Sequence, residues 1–257
     1  MPTVRTAFSF LRHFAAVYAF YGPRIAYRMS LSCLVDPKGS MKFLHDNMDA
    51  MNLGTDDAVL GSVDIRDLFP GEEEVRLLGA YHTSSVGGTW SILELGVLAH
   101  VVGSLGARTI FEIGTFTGRT SRLFALNAPE ARIVTLDLPQ ERVSHPVGRG
   151  FHGTPEASRI EQLAGDSRTF DYSRWHGTCD FVWVDANHDY PFVHADTETA
   201  LKLCRPGAWI GWHDYWHSAF WYGVTRAVRE SRARFPVIRH IRGTSIVLAR
   251  CPSTLVP

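Results

Sequence analysis

Apolar residues recur at helical spacing from Trp90 to Leu105 (WSILELGVLAHVVGSL), although Gly96 and Gly103 lower the helix propensity of that stretch. The period then changes. Arg108-Thr109-Ile110-Phe111-Glu112-Ile113 is a short β-rich run that Gly114 ends. The alternation repeats along the chain. Arg119–Asn127 predicts a helix, Arg132–Leu136 a strand closed by Asp137, and Glu156–Leu163 a helix with Thr154 as N-cap and Pro155 at its first position. Phe181–Asp185 predicts a buried strand, Phe192–Cys204 a helix stopped by Pro206-Gly207, and Ala208–Trp212 the next strand. A helix over Ala219–Glu230 follows. Val237–Ile241 and Ser245–Ala249, joined around Arg242-Gly243, close the chain as an antiparallel hairpin.

Strands spaced by helices imply right-handed crossovers and a mostly parallel sheet covered on both faces. The expected fold is a Rossmann-like, doubly wound α/β sheet of seven strands with a C-terminal antiparallel hairpin. Residues 1–88, punctuated by Pro23, Pro37 and Pro70, form a helical and irregular front section, a lid or dimer element ahead of a regular domain over 89–257. Ligands of such sheets sit beyond the carboxyl ends of the strands. Polar residues fall at those ends: Glu112, Asp137, Asp185 and the pair His213-Asp214.

Composition narrows the partners. The 257 residues, 45% of them hydrophobic, suffice for a continuous core. Lys and Arg number 26, as do Asp and Glu, so the excess of positive charge typical of nucleic-acid binding is absent. Four scattered cysteines form no C-x-x-C pair and fit a reducing, cytoplasmic setting. Ala7–Tyr21 (AFSFLRHFAAVYAFY) is apolar but broken by Arg12 and His13, short of the roughly 20 residues of a membrane span. It reads as a helix packed on the core or on a second copy, so the front section offers a surface for homo-oligomers and no stable membrane insertion is expected.

The turn after the first regular strand is Gly114-Thr115-Phe116-Thr117-Gly118. Phe116 stands where the dinucleotide fingerprint needs its second glycine, which argues against a pyrophosphate ligand. An acid at a strand end, a tight turn and a helix start suit a ligand with an amino-acid portion: the helix amides take its carboxylate and the acid offsets an ammonium or sulfonium charge. Asp137 is placed to accept hydrogen bonds from ribose hydroxyls. Gly165-Asp166-Ser167 occupies the next strand-to-helix loop, where Asp166 and neighbouring amides can meet an adenine edge. In FEIGTFTG, in the LD ending at Asp137 and in AGDS, the chain resembles the class I methyltransferases over Trp90–Ala249. The resemblance implies S-adenosylmethionine as cofactor, with Glu112, Gly114, Gly118, Asp137 and Asp166 at its site; Thr115, Ser167 and Asp185 join them by position.

At the acceptor end, Asp185-Ala186-Asn187-His188 and Trp212-His213-Asp214 begin where two neighbouring strands end, so Asp185, His213 and Asp214 can converge. Their carboxylates suit a divalent metal, Mg²⁺ first, whereas Zn²⁺, Mn²⁺ or Fe²⁺ better tolerate His213 as a ligand. His188 is the candidate general base, since an imidazole exchanges its proton near neutrality. The runs FVWVDANHDY and PGAWIGWHDY resemble the branch of metal-dependent sugar O-methyltransferases that decorate macrolides and its cephalosporin hydroxylase-associated relative. That resemblance implies a metal at Asp185 and Asp214 and a base at His188; His213 departs from the branch's acidic pair.

The implied activity is methyl transfer to a hydroxyl of a small natural-product or sugar acceptor. A metal-independent O- or N-methyltransferase, a noncatalytic cofactor-binding partner and a nicotinamide-dependent oxidoreductase are the competing readings. Two further features bear on the acceptor. The Gly- and Pro-rich stretch between Asp137 and Glu156 suggests a mobile cover, with Arg142, Arg149 and His152 available to an anionic acceptor. Trp212, Tyr215, Trp216, Phe220, Trp221 and Tyr222 offer an aromatic wall, and Tyr81–Ser85 a polar run placed to close over the cofactor.

Overall fold

Thirteen helices and strands lie within residues 57–78, 92–215 and 222–253, the parts of the chain that the computed structural model describes. In order they are β1 (Ser62–Val63), α1 (Ile65–Leu68), α2 (Ile92–Leu105), β2 (Thr109–Ile113), α3 (Arg119–Asn127), β3 (Arg132–Asp137), β4 (Ile160–Ala164), β5 (Cys179–Val184), α4 (Tyr190–Leu203), β6 (Cys204–Trp212), α5 (Tyr222–Ser231), β7 (Val237–Ile241) and β8 (Val247–Arg250). The expected helix over Ala7–Tyr21, the run Tyr81–Ser85 and Trp216, Phe220 and Trp221 lie outside the described residues.

The strands form one sheet in the order β1-β7-β8-β6-β5-β2-β3-β4. Pairing is parallel except where β8 meets β6 and β7, the expected antiparallel hairpin. The eighth strand, β1, comes from the front section and adds to the edge alongside β7, where the buried His240 bonds the Ser62 hydroxyl at 2.9 Å. Strand alternation sends Phe111, Val182 and Ile210 to one face, against Val193, Ala200 and Leu203 of α4. Ile110, Ile133 and Phe181 go to the other, against Leu98 and Val102 of α2 and Leu123 and Phe124 of α3. Both faces are therefore covered and the inner strands read as apolar runs; β5 is buried at every position.

One expected element is different. Glu156–Leu163 is not an α-helix. Pro155–Arg159 makes a single 3₁₀ stretch, and Ile160–Ala164 is the edge strand β4, paired in parallel with β3. The Thr154-Pro155 start signal is genuine, but Arg159 ends the turn by donating to the carbonyls of Ala125 in the last turn of α3 and of Ala128 and Ala131 just after it. Satisfying those orphan carbonyls fixes the segment against α3, and the next residues gain ladder bonds to β3 that a continued helix would forgo.

In chain order β2 leads outward to β3 and β4, whereas β5 leads the other way to β6. The order therefore reverses between β2 and β5, and the crevice beyond their carboxyl ends is the topological switch point where ligands of such sheets bind.

Candidate active site

The glycine turn lies on that switch point. Gly114 has φ of 109°, and its N–H donates to the carbonyl of Leu136 on β3 at 2.9 Å. A Cβ here would overlap the carbonyl oxygen of Asp185 and stand 2.8 Å from the amide nitrogen of Ala186. Gly118, with φ of 78°, is the N-cap of α3, and a Cβ on it would meet the Phe151 ring at 2.5 Å. Both positions therefore need glycine for backbone conformation and for close approach. Between them Thr115 is buried, its hydroxyl 2.7 Å from that of Thr135.

Glu112 is buried. Its carboxylate turns in beneath the turn, accepting from the Ser121 hydroxyl and, at 2.6 Å, from that of Thr135. Burial, reinforced by the charges of Asp185 and Asp137, pushes its pKa up to about 8, so near neutrality this carboxyl keeps its proton. It supports the turn from below. Asp137 ends β3 and accepts from the amides of Phe116 at 2.6 Å and Leu138 at 2.7 Å. Asp166 turns back on its own loop, paired with Arg168 at 3.4 Å, while the Ser167 carbonyl accepts from the Tyr172 hydroxyl. An uncapped helix start, a glycine cradle and a carboxylate at the next strand end fit an adenosine that carries an amino acid.

The second half of the site gathers four side chains beyond β5 and β6. Asp185, His188 and Asp214 offer ligand atoms that all lie within 4.8 Å of one another. His188 Nε2 is 2.7 Å from Asp214 Oδ2. Nδ1 of His213 lies 3.3 Å from Asp185 and 3.4 Å from Asp214, so both histidines border the same carboxylates. Burial disfavours charge on His213, yet Asp214 and Asp185 outweigh it and hold the imidazole well above its usual pKa. Burial likewise opposes the Asp214 charge, and His213 and His188 overcome it, holding that carboxyl well below the usual range. Asp214 adopts φ of 56°, an uncommon conformation for a residue with a side chain. Two carboxylates and an imidazole at this spacing fit a divalent cation.

Glu94 is the residue that sequence reasoning missed. It sits on α2 among apolar neighbours, accepts from the amide and hydroxyl of Ser245 at 2.8 and 2.7 Å, and faces His213 Nε2 at 3.7 Å. Burial would raise its pKa, but the bonds and charge of His213 and the bonds from Ser245 hold it down at about 2. The available signal was an acid at an inward position of a helix that is otherwise apolar there. Asp57, just behind β1, was missed too: it accepts from the hydroxyl of Tyr215, which also receives Arg229 Nε at 2.8 Å. Tyr215 and Trp212 are fully buried, so neither forms part of an open aromatic wall.

The stretch expected as a mobile cover is fastened to the turn. Gly148 and Gly150 donate to the carbonyls of Phe116 and Thr117 at 2.9 and 2.7 Å, and Phe151 packs beside Gly118. Arg142, Arg149 and His152 are exposed on it.

Residues 111–215, the part of the doubly wound sheet that carries the glycine turn, match the family model described as a methyltransferase domain. Caffeoyl-CoA O-methyltransferase 2 of Zea mays is 30% identical over 154 residues, 54% of this chain and 54% of that protein. The chain thus spans about half the length of this relative. Caffeoyl-CoA O-methyltransferase 2 of Populus trichocarpa is 26% identical over 208 residues, covering 74% of this chain and 78% of that protein. Among solved structures, cofactor-bound Rv0187 from MTB shares the fold with a TM-score of 0.50 at 21% identity, over 65% of this chain and 83% of that one. Residues 111–215 are thus similar to a methyltransferase domain, and longer stretches of the chain to caffeoyl-CoA O-methyltransferases. Among the described residues no helix is long and apolar enough to cross a membrane.

Proposed function

We propose that the protein transfers the methyl group of S-adenosylmethionine to a hydroxyl of a small acceptor, such as a sugar or natural-product scaffold, with a divalent cation assisting. The observation that carries this reading is the Asp185, His188 and Asp214 cluster, set directly against the glycine turn through the contact of Gly114 with Asp185. The names of the relatives support oxygen as the methylated atom.

The turn Gly114–Gly118 and Asp137 hold the cofactor, whose sulfonium supplies an activated methyl group. Asp185 and Asp214 hold the cation, which when bound lowers the pKa of a hydroxyl beside it. Mg²⁺ and Mn²⁺ suit the carboxylates, and a bordering imidazole favours the latter. His188 is the more exposed of the two histidines, 35% against 14% for His213, and so meets the acceptor. Asp214 orients its ring, leaving it to take the hydroxyl proton during attack. His213, held between Glu94 and the two aspartates, keeps those carboxylates in place. Holding the acceptor oxygen in line with the methyl carbon supplies much of the rate.

The test combines methyl transfer to a panel of sugars and vicinal diols with calorimetric titration of Mn²⁺. Activity should vanish on exhaustive chelation and return with cation, and Asp214→Asn should bind Mn²⁺ at least about tenfold more weakly. One arrangement favours a second reading. His213 already faces both carboxylates as a raised-pKa imidazole, a cation supplied by the protein itself. Full activity after chelation would select that metal-independent methyltransferase instead.

A further inference from the structure

We infer that His145 is a cofactor-site residue that completes a ribose clamp with Asp137, an assignment resting on the S-adenosylmethionine reading above. His145 lies on the stretch between β3 and β4, which folds back over the glycine turn. Its Nε2 is buried, has no hydrogen-bond partner among the described residues, and lies 3.7 Å from Asp137 Oδ2. Its ring packs on Phe116, centroids 4.5 Å apart and planes at 49°.

Each part of this arrangement points the same way. A buried ring nitrogen without a partner is costly, so it marks a place where a polar ligand atom belongs. The group it faces is the carboxylate at the end of β3, where a ribose diol meets sheets of this topology. A carboxylate only accepts, and an imidazole N–H donates. One hydroxyl can therefore donate to Asp137 and accept from His145, which makes the pair a complementary receptor for a sugar hydroxyl. Phe116 sets the histidine's position. The left-handed backbone at Phe116, φ 46°, aims its amide at Asp137 and leaves its ring exposed, where His145 rests on it. The phenylalanine that breaks the dinucleotide fingerprint thus has a use of its own: it is the platform for a second ribose contact. Gln140 fixes the segment on either side of the histidine, donating to the His145 carbonyl at 2.8 Å and accepting from the Val147 amide at 2.9 Å.

Calorimetry with S-adenosylhomocysteine and its 2′-deoxy and 3′-deoxy analogues tests the inference without any need for turnover. His145→Phe keeps an aromatic ring on Phe116 and removes the nitrogen. It should bind S-adenosylhomocysteine about three- to tenfold more weakly than wild type, the worth of one hydrogen bond. Removing the contacted hydroxyl should weaken binding to wild type, and that penalty should shrink in His145→Phe, because the variant has already lost the partner. A penalty of the same size in both proteins for both analogues overturns the inference, as does unchanged affinity in His145→Phe. Should that variant fold poorly by circular dichroism, His145→Leu provides the same cycle with a smaller side chain that likewise lacks a donor. If wild type itself does not bind S-adenosylhomocysteine, the underlying cofactor reading fails and the clamp with it. Binding by wild type with additive losses sinks the clamp alone.

Discussion

Gly114 lies so close to Asp185 that the cofactor turn and the proposed metal ligand share one van der Waals surface: a side chain on the glycine would occupy the space of the Asp185 carbonyl. Gly114→Ala must therefore either strain a backbone at φ 109° or push β2 and β5 apart at their carboxyl ends. The strain alone is worth about 1–3 kcal/mol. The variant should melt several degrees lower and lose S-adenosylhomocysteine binding and Mn²⁺ binding together. Retention of either ligand at wild-type affinity would show that the two half-sites are not coupled through this contact.

His188→Ala separates proton removal from binding. The imidazole is anchored to Asp214 but is the more exposed histidine of the cluster. Its loss should lower turnover by about 10²–10⁴-fold, the usual worth of a positioned acid or base. Cofactor affinity should stay near wild type, and Mn²⁺ affinity should fall much less than in Asp214→Asn. Equal loss of Mn²⁺ affinity in the two variants would make His188 a ligand and leave the base to be sought elsewhere.

Glu94→Gln probes the brace behind His213. The amide can still accept from Ser245, so packing is kept while the charge facing the imidazole is removed. Leaving a buried charged hydrogen-bond partner less well paired costs about 1–3 kcal/mol. Urea denaturation near neutral pH should report that loss with an unchanged m value. An unaltered midpoint would mean that Asp185 and Asp214 alone hold the His213 cation.

What was legible in the chain follows from which forces act locally. The inner strands and the glycine turn could be read because alternation, apolar runs and glycine placement are short-range signals. Asp185, His188 and Asp214 could be grouped because strand ends of a parallel sheet must lie together. Ile160–Ala164 could not be recognised as a strand: on the sheet edge its residues are exposed or half-buried, so no alternation marks it, and its pairing with β3 was outweighed locally by Thr154-Pro155. Glu94 was hidden for a different reason. Its partner Ser245 is 151 residues away, and a single acid within WSILELGVLAH changes the helical pattern little. Glu112 was correctly placed at a strand end, but which way its side chain turns depends on Ser121 and Thr135, which no strand-end rule anticipates.

Acid stability should reveal a brace at the opposite end of the sheet. Asp180, at the start of β5, accepts from the amides of Arg108 and Thr109 at 2.7 and 2.9 Å and from the guanidinium of Arg205. It thereby ties the entry to β2 to β5 and β6. Burial opposes its charge, but Arg205 and the two amides outweigh that and lower its pKa in the folded protein. The group is depressed relative to the unfolded chain, so its stabilisation is fully present above the unfolded value of about 3.9 and is lost as pH falls through the folded pKa. Asp180→Asn leaves amide hydrogens facing donors and should cost about 1–3 kcal/mol at pH 7. The cost should diminish below about pH 4, because there wild type surrenders what the variant already lacks. Urea midpoints of both proteins from pH 7 to pH 3 measure it. All other carboxylates are common to both, so a gap that stays constant across that range would remove Asp180 as an ionised brace.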